Sequence, residues 1–317
     1  MTIQIKCQNI KTGDSYEVSE LVTAARWTTK RSGAPATLSL TLREDPAVVW
    51  DHGNIVAVLD GDRGLFYGYV FKLSQGETGE VEVTAYDQTR YLKNKDTYVF
   101  HGKRADEITA QIAEDFKLTA GELVDTGYTI PAMVEDNKGL FDTILKALDL
   151  TLINTGRMFY LWDDYGALRL SEAKPEEARL VVGDGSLATG YTYASEIDSE
   201  TYNKIKLVRD NKETGRRDVY LIEDSNSMQF WGILQYTEKV DEEMNEGQIK
   251  ELGGQMLELY DRPKRTFQVS ALGDLGVRAG MVLLVSIQAL GIEQPFLVEE
   301  AAHDLMKETM DLKLKAV

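Results

Sequence analysis

The sequence predicts a mainly β fold with an α+β insertion, and three observations predict it. Runs of apolar and polar residues alternate through the segment up to Tyr91, and a similar group of runs returns near the C-terminus. Between them, two stretches switch to helical spacing. The expected division is 1–95 for a first β unit, 96–179 for an α+β unit and 180–317 for a second β unit with one helix.

In the first unit, Ile3 to Cys7 and Tyr16 to Val18 read as strands around a turn at Lys11 to Asp14. Val22 to Thr29 and Thr37 to Leu42 form a hairpin, because Gly33 and Pro35 prevent a strand from running on between them. Asn54 to Leu59, Leu65 to Leu73 and Glu80 to Tyr86 are rich in β-branched and aromatic residues. The turns joining them, Asp60 to Gly64 and Ser74 to Gly79, hold the glycines that tight hairpins need. The three runs therefore make an antiparallel meander, and the whole segment a small barrel or sandwich.

The meander pattern recurs. Gly280 opens an apolar run from Met281 to Ile287, Pro295 to Glu300 follows a turn at Gly291, and Met310 to Lys315 alternates last. Phe296 stands where Phe66 does, and Leu312-Lys313-Leu314 answers Val81-Glu82-Val83. One module made twice explains this; two meanders that merely share turn chemistry are the alternative.

In the middle, Arg104 to Phe116 places Ala105, Ile108, Ile112 and Phe116 on one helical face, and Gly139 to Leu150 does so with Leu140, Ile144, Leu145 and Leu148, after Asp136 and Asn137 as N-cap candidates. Thr151 to Ile153, Met158 to Trp162 and Ala167 to Leu170 read as short strands. After the charged linker Glu172 to Arg179, strands resume at Leu180 to Val182, Gly190 to Tyr193, Tyr202 to Val208 and Asp218 to Glu223. Asn245 to Tyr260 is a helix with Asn245 and Gln248 at capping-box spacing, stopped by Pro263; Thr266 to Leu272 leads into the closing meander.

The totals bound the class. A chain of 317 residues with 43% hydrophobic and 27% charged residues and only 6 prolines can bury two or three cores. The single cysteine, Cys7, excludes an internal disulfide framework and reads as a small buried hydrophobe. The N-terminus lacks a signal-peptide core and the longest apolar run is too short to span a bilayer, so synthesis in the cytoplasm and no membrane insertion are expected. A net charge of −17 argues against gripping nucleic acid. It suits either general solubility or a passage lined with negative charge.

Chemistry leaves little trace. His52, His101 and His303 stand apart, and no zinc, nucleophile-elbow or P-loop pattern occurs. Gly183 to Ala188 spells GxGxxA, but Thr189 to Tyr193 behind it is strand-like, so it is a turn without the helix that would bind phosphate. Asp60-Gly61-Asp62 would open a calcium loop whose twelfth position is Phe71 where Glu is required. Trp27, Trp50, Trp162 and Trp231 are scattered and read as core or interface residues. No catalytic residue, cofactor or metal is expected.

A group of short motifs carries a family likeness: Arg31 to Leu38 after a Trp-bearing strand, Gly53 before an apolar strand, Phe66 to Val70, Ala85-Tyr86-Asp87 with Arg90 to Leu92, and Asp96 to Phe100. Asn203-Lys204-Ile205, Gly273 through Gly280 and Val298 through His303 extend it. Together they resemble the baseplate hub proteins of contractile phage tails and phage-tail-like particles, the late control protein D group and its relatives in Gram-positive prophages. The resemblance implies two tail-tube-like β-barrels and a homotrimer whose six barrels match a sixfold tail tube to a threefold central spike. It also implies a tape-measure protein and other baseplate proteins as partners, a place in the virion or tail-like particle, and no enzymatic activity. On that basis Arg31, Gly33 and Pro35 of the hairpin tip, and Tyr67 and Phe296 near sheet edges, are the expected contact residues. A peptidoglycan hydrolase, which needs a cleft with paired carboxylates, and a carbohydrate-binding module, which needs exposed coplanar aromatics, remain the other classes.

Overall fold

The structure is a computed structural model that describes residues 3–316 except 78, 179, 212–214 and 243. Thr78 of the expected second meander turn and Arg179 of the expected linker therefore lie outside the described residues. The chain is mainly β, as expected.

The first unit contains β1 (Ile3–Gln8), β2 (Ser15–Glu17), β3 (Val22–Lys30), β4 (Thr37–Arg43), β5 (Ile55–Asp60), β6 (Arg63–Gln75) and β7 (Glu80–Tyr86). Alternation decides which face each strand buries: Val81, Val83 and Ala85 of β7 point inward while Glu80 and Glu82 are exposed. With Cys7, Trp27, Leu38, Leu40 and Val56 they form one core, against which Leu275 and Leu305 from the far end of the chain also pack. The predicted meander is β5, β6 and β7, paired antiparallel in sequence order.

The middle of the chain holds β8 (Lys95–Lys103), α1 (Ala105–Asp115), β9 (Ala120–Leu123), β10 (Ile130–Gly139), α2 (Leu140–Thr155), β11 (Met158–Asp164) and β12 (Ala167–Ala173). Its core joins Phe100, Ile108, Ile112, Leu140 and Ile144. Two expectations change here. The cap of α2 is Gly139, not Asp136 or Asn137, which lie in β10. The strand expected at Thr151 to Ile153 is the last turn of α2. Its threonines hydrogen-bond to the backbone four residues back, Thr151 to Ala147 at 2.9 Å and Thr155 to Thr151 at 2.7 Å, and Gly156 ends the helix in a left-handed conformation. A β-branched run thus reads as a strand until the helix it extends is seen.

The rest contains β13 (Val181–Gly183), β14 (Ala188–Glu196), β15 (Lys204–Asn211), β16 (Arg216–Glu223), α3 (Ser225–Trp231), β17 (Gln235–Lys239), α4 (Glu246–Tyr260), β18 (Lys264–Leu272), β19 (Val282–Ile287), β20 (Ile292–Asp304) and β21 (Thr309–Ala316). Helix α4 has the predicted capping box, with Gln248 N–H donating to Asn245 Oδ1 at 3.0 Å and Asn245 N–H to Gln248 Oε1 at 2.9 Å. It is not, however, the one helix of the second unit, nor does it lie on that unit's sheet. It packs on a separate three-stranded sheet, β16-β15-β17, through Ile205, Leu207, Ile249 and Met256, and the short α3 accompanies it. This sheet and its helices fill the connection between β14 and β18.

The second unit proper repeats the first in strand order. The first runs β1-β5-β6-β7-β4-β3 and the second β13-β19-β20-β21-β18-β14, with the last five strands antiparallel in both. Three irregularities recur in the same places. Gly53 N–H donates to Val70 O and Val70 N–H to Asn54 O, both at 2.8 Å; Gly280 N–H donates to Val298 O and Val298 N–H to Met281 O, both at 2.8 Å. The register slips after Val70 in β6 and after Val298 in β20. It slips again after Val22 in β3 and after Ala188 in β14, where the hydroxyls of Thr23 and Thr189 donate to the carbonyls of Thr41 and Ser270 at 3.1 and 3.0 Å. Chance meanders need share the turns but not the bulges. The residue matches shift by two: Gly68, not Phe66, corresponds to Phe296, and Val83, not Val81, to Leu312. A two-residue slip keeps every side chain on its face, so alternation alone could not detect it. The first strands differ, since β1 is antiparallel to β5 and β13 parallel to β19.

The two units join into one 13-stranded sheet through β3 and β20, with Trp27 opposite His303 and Lys30 opposite Glu300. This corrects the two closed barrels. The hydrogen-bonded path is open, from β14 at one end to β2 at the other, because β3, which would have to close the first unit, is taken by β20 of the second.

Candidate functional site

The strand junction is backed by a buried polar and aromatic cluster where all three parts of the chain meet. Trp27 of β3 stacks on His303 of β20 with ring centroids 5.2 Å apart. His303 Nε2–H donates to the carbonyl of Val277 at 2.9 Å, and burial holds the imidazole below its usual pKa, so it is the neutral ring that packs on the indole. The guanidinium of Arg278 lies 3.9 Å from the ring centre of Trp162 in β11 and 5.8 Å from that of Trp27. One side chain of the second unit thereby touches the middle and the first.

Two buried carboxyls face this cation. Asp87, at the end of β7, accepts from Thr89 N–H at 3.1 Å and starts a short 3-10 helix. Asp163 of β11 accepts from Gln88 Nε2 at 2.8 Å and from Gly166 N–H at 2.8 Å. Burial first raises the pKa of both, and for Asp87 the neighbouring Asp163 raises it further. Burial lowers that of Arg278, while Asp164, Asp87 and Asp163 act the other way.

Aromatic rings seated on glycines complete the contact. Tyr160 of β11 covers Gly280, and Tyr165 of the β11–β12 turn covers Gly64 while Tyr67 covers Gly166, with Tyr67 and Tyr165 5.5 Å apart. A side chain at any of these glycines would meet the ring, so the middle part sits against both β units where they have no side chain.

Beside the junction is a cleft of about 600 Å³ between α2, α4 and β20–β21. Tyr202, Tyr236 and Tyr260 form one wall, with centroids 5.1 to 6.2 Å apart. Its charges are largely paired: Lys315 meets Glu200 at 2.6 Å and Arg31 meets Glu299 at 3.0 Å. Among the described residues, no group of three or more His, Cys, Asp and Glu side chains is placed to hold a metal ion, and no helix is long and apolar enough to cross a membrane.

The expected contact residues scatter. Gly33 is the exposed, left-handed tip of the β3–β4 hairpin, Arg31 beside it is half-buried against Glu299, and Pro35 is buried. Tyr67 is engaged within the chain by Tyr165. Phe296 is fully buried in the second core, in contact with Phe267, on a strand in the interior of the sheet rather than at an edge. Cys7 is a buried hydrophobe whose thiol burial pushes up to about 11. Gly183 belongs to a strand held close to Ser286, and β14, not a helix, follows it, so the GxGxxA run is a turn. Asp163, Gln88 and the part played by Arg278 escaped notice, because carboxyls are too numerous to single out by spacing.

This fold is shared with phage tail proteins. The 43 kDa tail protein of prophage MuSo2 from Shewanella oneidensis superposes with a TM-score of 0.69 over 98% of both chains at 14% identity. In sequence, residues 25–315 match the YqbQ-like family, and the chain belongs to it. Two similar relatives come from Bacillus subtilis strain 168. The phage-like element PBSX protein XkdQ is 34% identical over 255 residues, covering 78% of this chain and 77% of XkdQ. YqbQ is 33% identical over 258 residues, covering 80% and 77%. The resemblance to phage tail baseplate proteins seen in the short motifs is shown by these matches.

Proposed function

We propose that the chain is a structural hub of a contractile tail baseplate, acting as part of the virion or tail-like particle and not as an enzyme. Three copies form a ring whose six β units present a near-sixfold face to the tail tube and a threefold face to the central spike. The observation that carries this is the duplication, with the same strand order and the same bulges twice in one chain. A unit made twice lets three molecules offer six similar positions, and a heterologous contact closes into a ring when its rotation allows. The tail-protein relatives support the setting. A tape-measure protein and other baseplate proteins are the further partners, and a net charge of −17 suits a lumen that lets phosphate backbones pass without adhesion.

Native mass spectrometry of the purified protein, together with symmetry analysis of isolated particles, tests this. Three copies per assembly are expected. A monomer at every concentration, or a stable assembly of two or four, overturns the ring.

A further inference from the structure

Resting on that ring, we infer which strand edges join its copies: the outer edge of β14 in one molecule pairs antiparallel with residues 71–75 of β6 in the next. The register is the one that joins β3 to β20 inside the chain.

The repeat supplies the argument. In the second unit the last third of β20 extends beyond β19 and receives β3 on its free side, from Glu300 opposite Lys30 to Asp304 opposite Arg26. By the matched bulges, β6 corresponds to β20 and β14 to β3. The end of β6 likewise extends past β5, which pairs only as far as Tyr69, and among the described residues no strand lies along residues 71–75 on that side. Among the described residues, strand β14 pairs with β18 alone, so one edge of a nine-residue strand, with its main-chain donors and acceptors, faces outward. Each chain thus contains one filled socket and one vacant one, and one used edge and one spare.

The side chains at the vacant pair fit each other. Transferring the register sets Lys72 opposite Glu196, where the filled junction has Glu300 opposite Lys30, with Lys30 Nζ 3.5 Å from Glu300 Oε2. The sign of the pair is reversed but its complementarity is kept. One step on, the Arg31–Glu299 ion pair of the filled junction becomes Ile197 facing Phe71, an apolar pair in place of an ionic one. Thr29, whose hydroxyl donates to Ala301 O at 3.4 Å and accepts from Ala279 N–H at 3.0 Å, becomes Ser195, which keeps the hydroxyl. Three matched positions in succession favour a second copy of this chain over an unrelated strand.

Disulfide trapping tests the register. Residues directly opposite in an antiparallel pair have Cβ atoms about 5 Å apart, within reach of a disulfide after small adjustment. Lys72→Cys with Glu196→Cys should give covalent dimers and trimers on mild oxidation and nothing larger. Lys72→Cys with Ser195→Cys, which puts the two thiols on opposite faces, should give at least tenfold less. Buried Cys7 does not compete. Lys72→Glu should weaken assembly by roughly tenfold, and adding Glu196→Lys should restore it; both side chains are exposed, so folding is not at stake. Trimers by mass that fail to link, or that link equally in both pairs, overturn the edge pairing and leave the ring standing. Monomers at every concentration remove the ring itself.

Discussion

The two β units differ most in what joins one pair of equivalent strands. Between β3 and β4 there is a tight hairpin with Gly33 at its tip; between β14 and β18 the chain makes residues 197–263, with a three-stranded sheet and two helices. Yet the bulge at Thr23 and the bulge at Thr189 occupy the same place at the far end of that strand pair. A hairpin tip can therefore become a folded insertion with its own core, built on Ile205, Leu207, Ile249 and Met256, without altering the sheet behind it. What both units retain is the strand order and the position of the bulges.

The sharpest way to break this comparison is at the paired glycines. Gly280 has φ of +94° and a Cβ there would lie 2.0 Å from the ring of Tyr160; Gly53 has φ of +84° and would meet only the tip of Ile10 at 3.1 Å. Both alanine variants impose backbone strain, but only one collides with a packed aromatic. Gly280→Ala should cost about 3 kcal/mol or more and Gly53→Ala about 1–2 kcal/mol, by denaturant unfolding. Equal costs would mean that the ring on Gly280 contributes nothing to how the middle part is seated.

Next comes the cation that only the second unit supplies. Arg278→Ala should destabilise by about 2–3 kcal/mol, since it removes a largely desolvated contact with Trp162 and a positive charge that Asp163 and Asp164 favour. Arg278→Lys should recover only part, because an ammonium cannot lie flat on the indole. A smaller effect concerns pH. The Asp87 carboxyl is raised by burial and by Asp163, so the folded chain holds a proton that the unfolded chain has released above about pH 4. Unfolding then releases a proton, and stability falls as pH rises until the raised value is passed. Asp87→Asn, which keeps an acceptor for Thr89, should make that fall visibly shallower between pH 5 and 8. An unchanged slope would show that Asp87 is charged in the folded state.

The strands of both meanders were legible because one face of each is buried and alternation reports it, as in Val81, Val83 and Ala85. The capping box of α4 was legible because it is a local interaction between Asn245 and Gln248. What escaped depended on partners far along the chain. Nothing near Arg278 says that it will meet Trp162, and nothing near β3 says that it will pair with β20 rather than close its own unit. Phe296 looked like an edge residue because a run of sequence does not show how many strands flank it. The duplication was visible in turn and strand spacing, whereas its true register needed the bulges.

Those bulges offer the finest test of the duplication. Thr23 and Thr189 are exposed, and each donates its hydroxyl to a carbonyl on the neighbouring strand. Exposed neutral hydrogen bonds contribute little, so Thr23→Val and Thr189→Val should each cost about 0.5 kcal/mol, and the double variant about twice that. The informative quantity is the agreement between the two sites. Valine keeps the branched shape, so any difference reports what the hydroxyl does for the bulge and not a loss of volume. If one variant costs nothing and the other about 1 kcal/mol or more, the bulges share a position but not a physical role, and strand order alone would carry the equivalence.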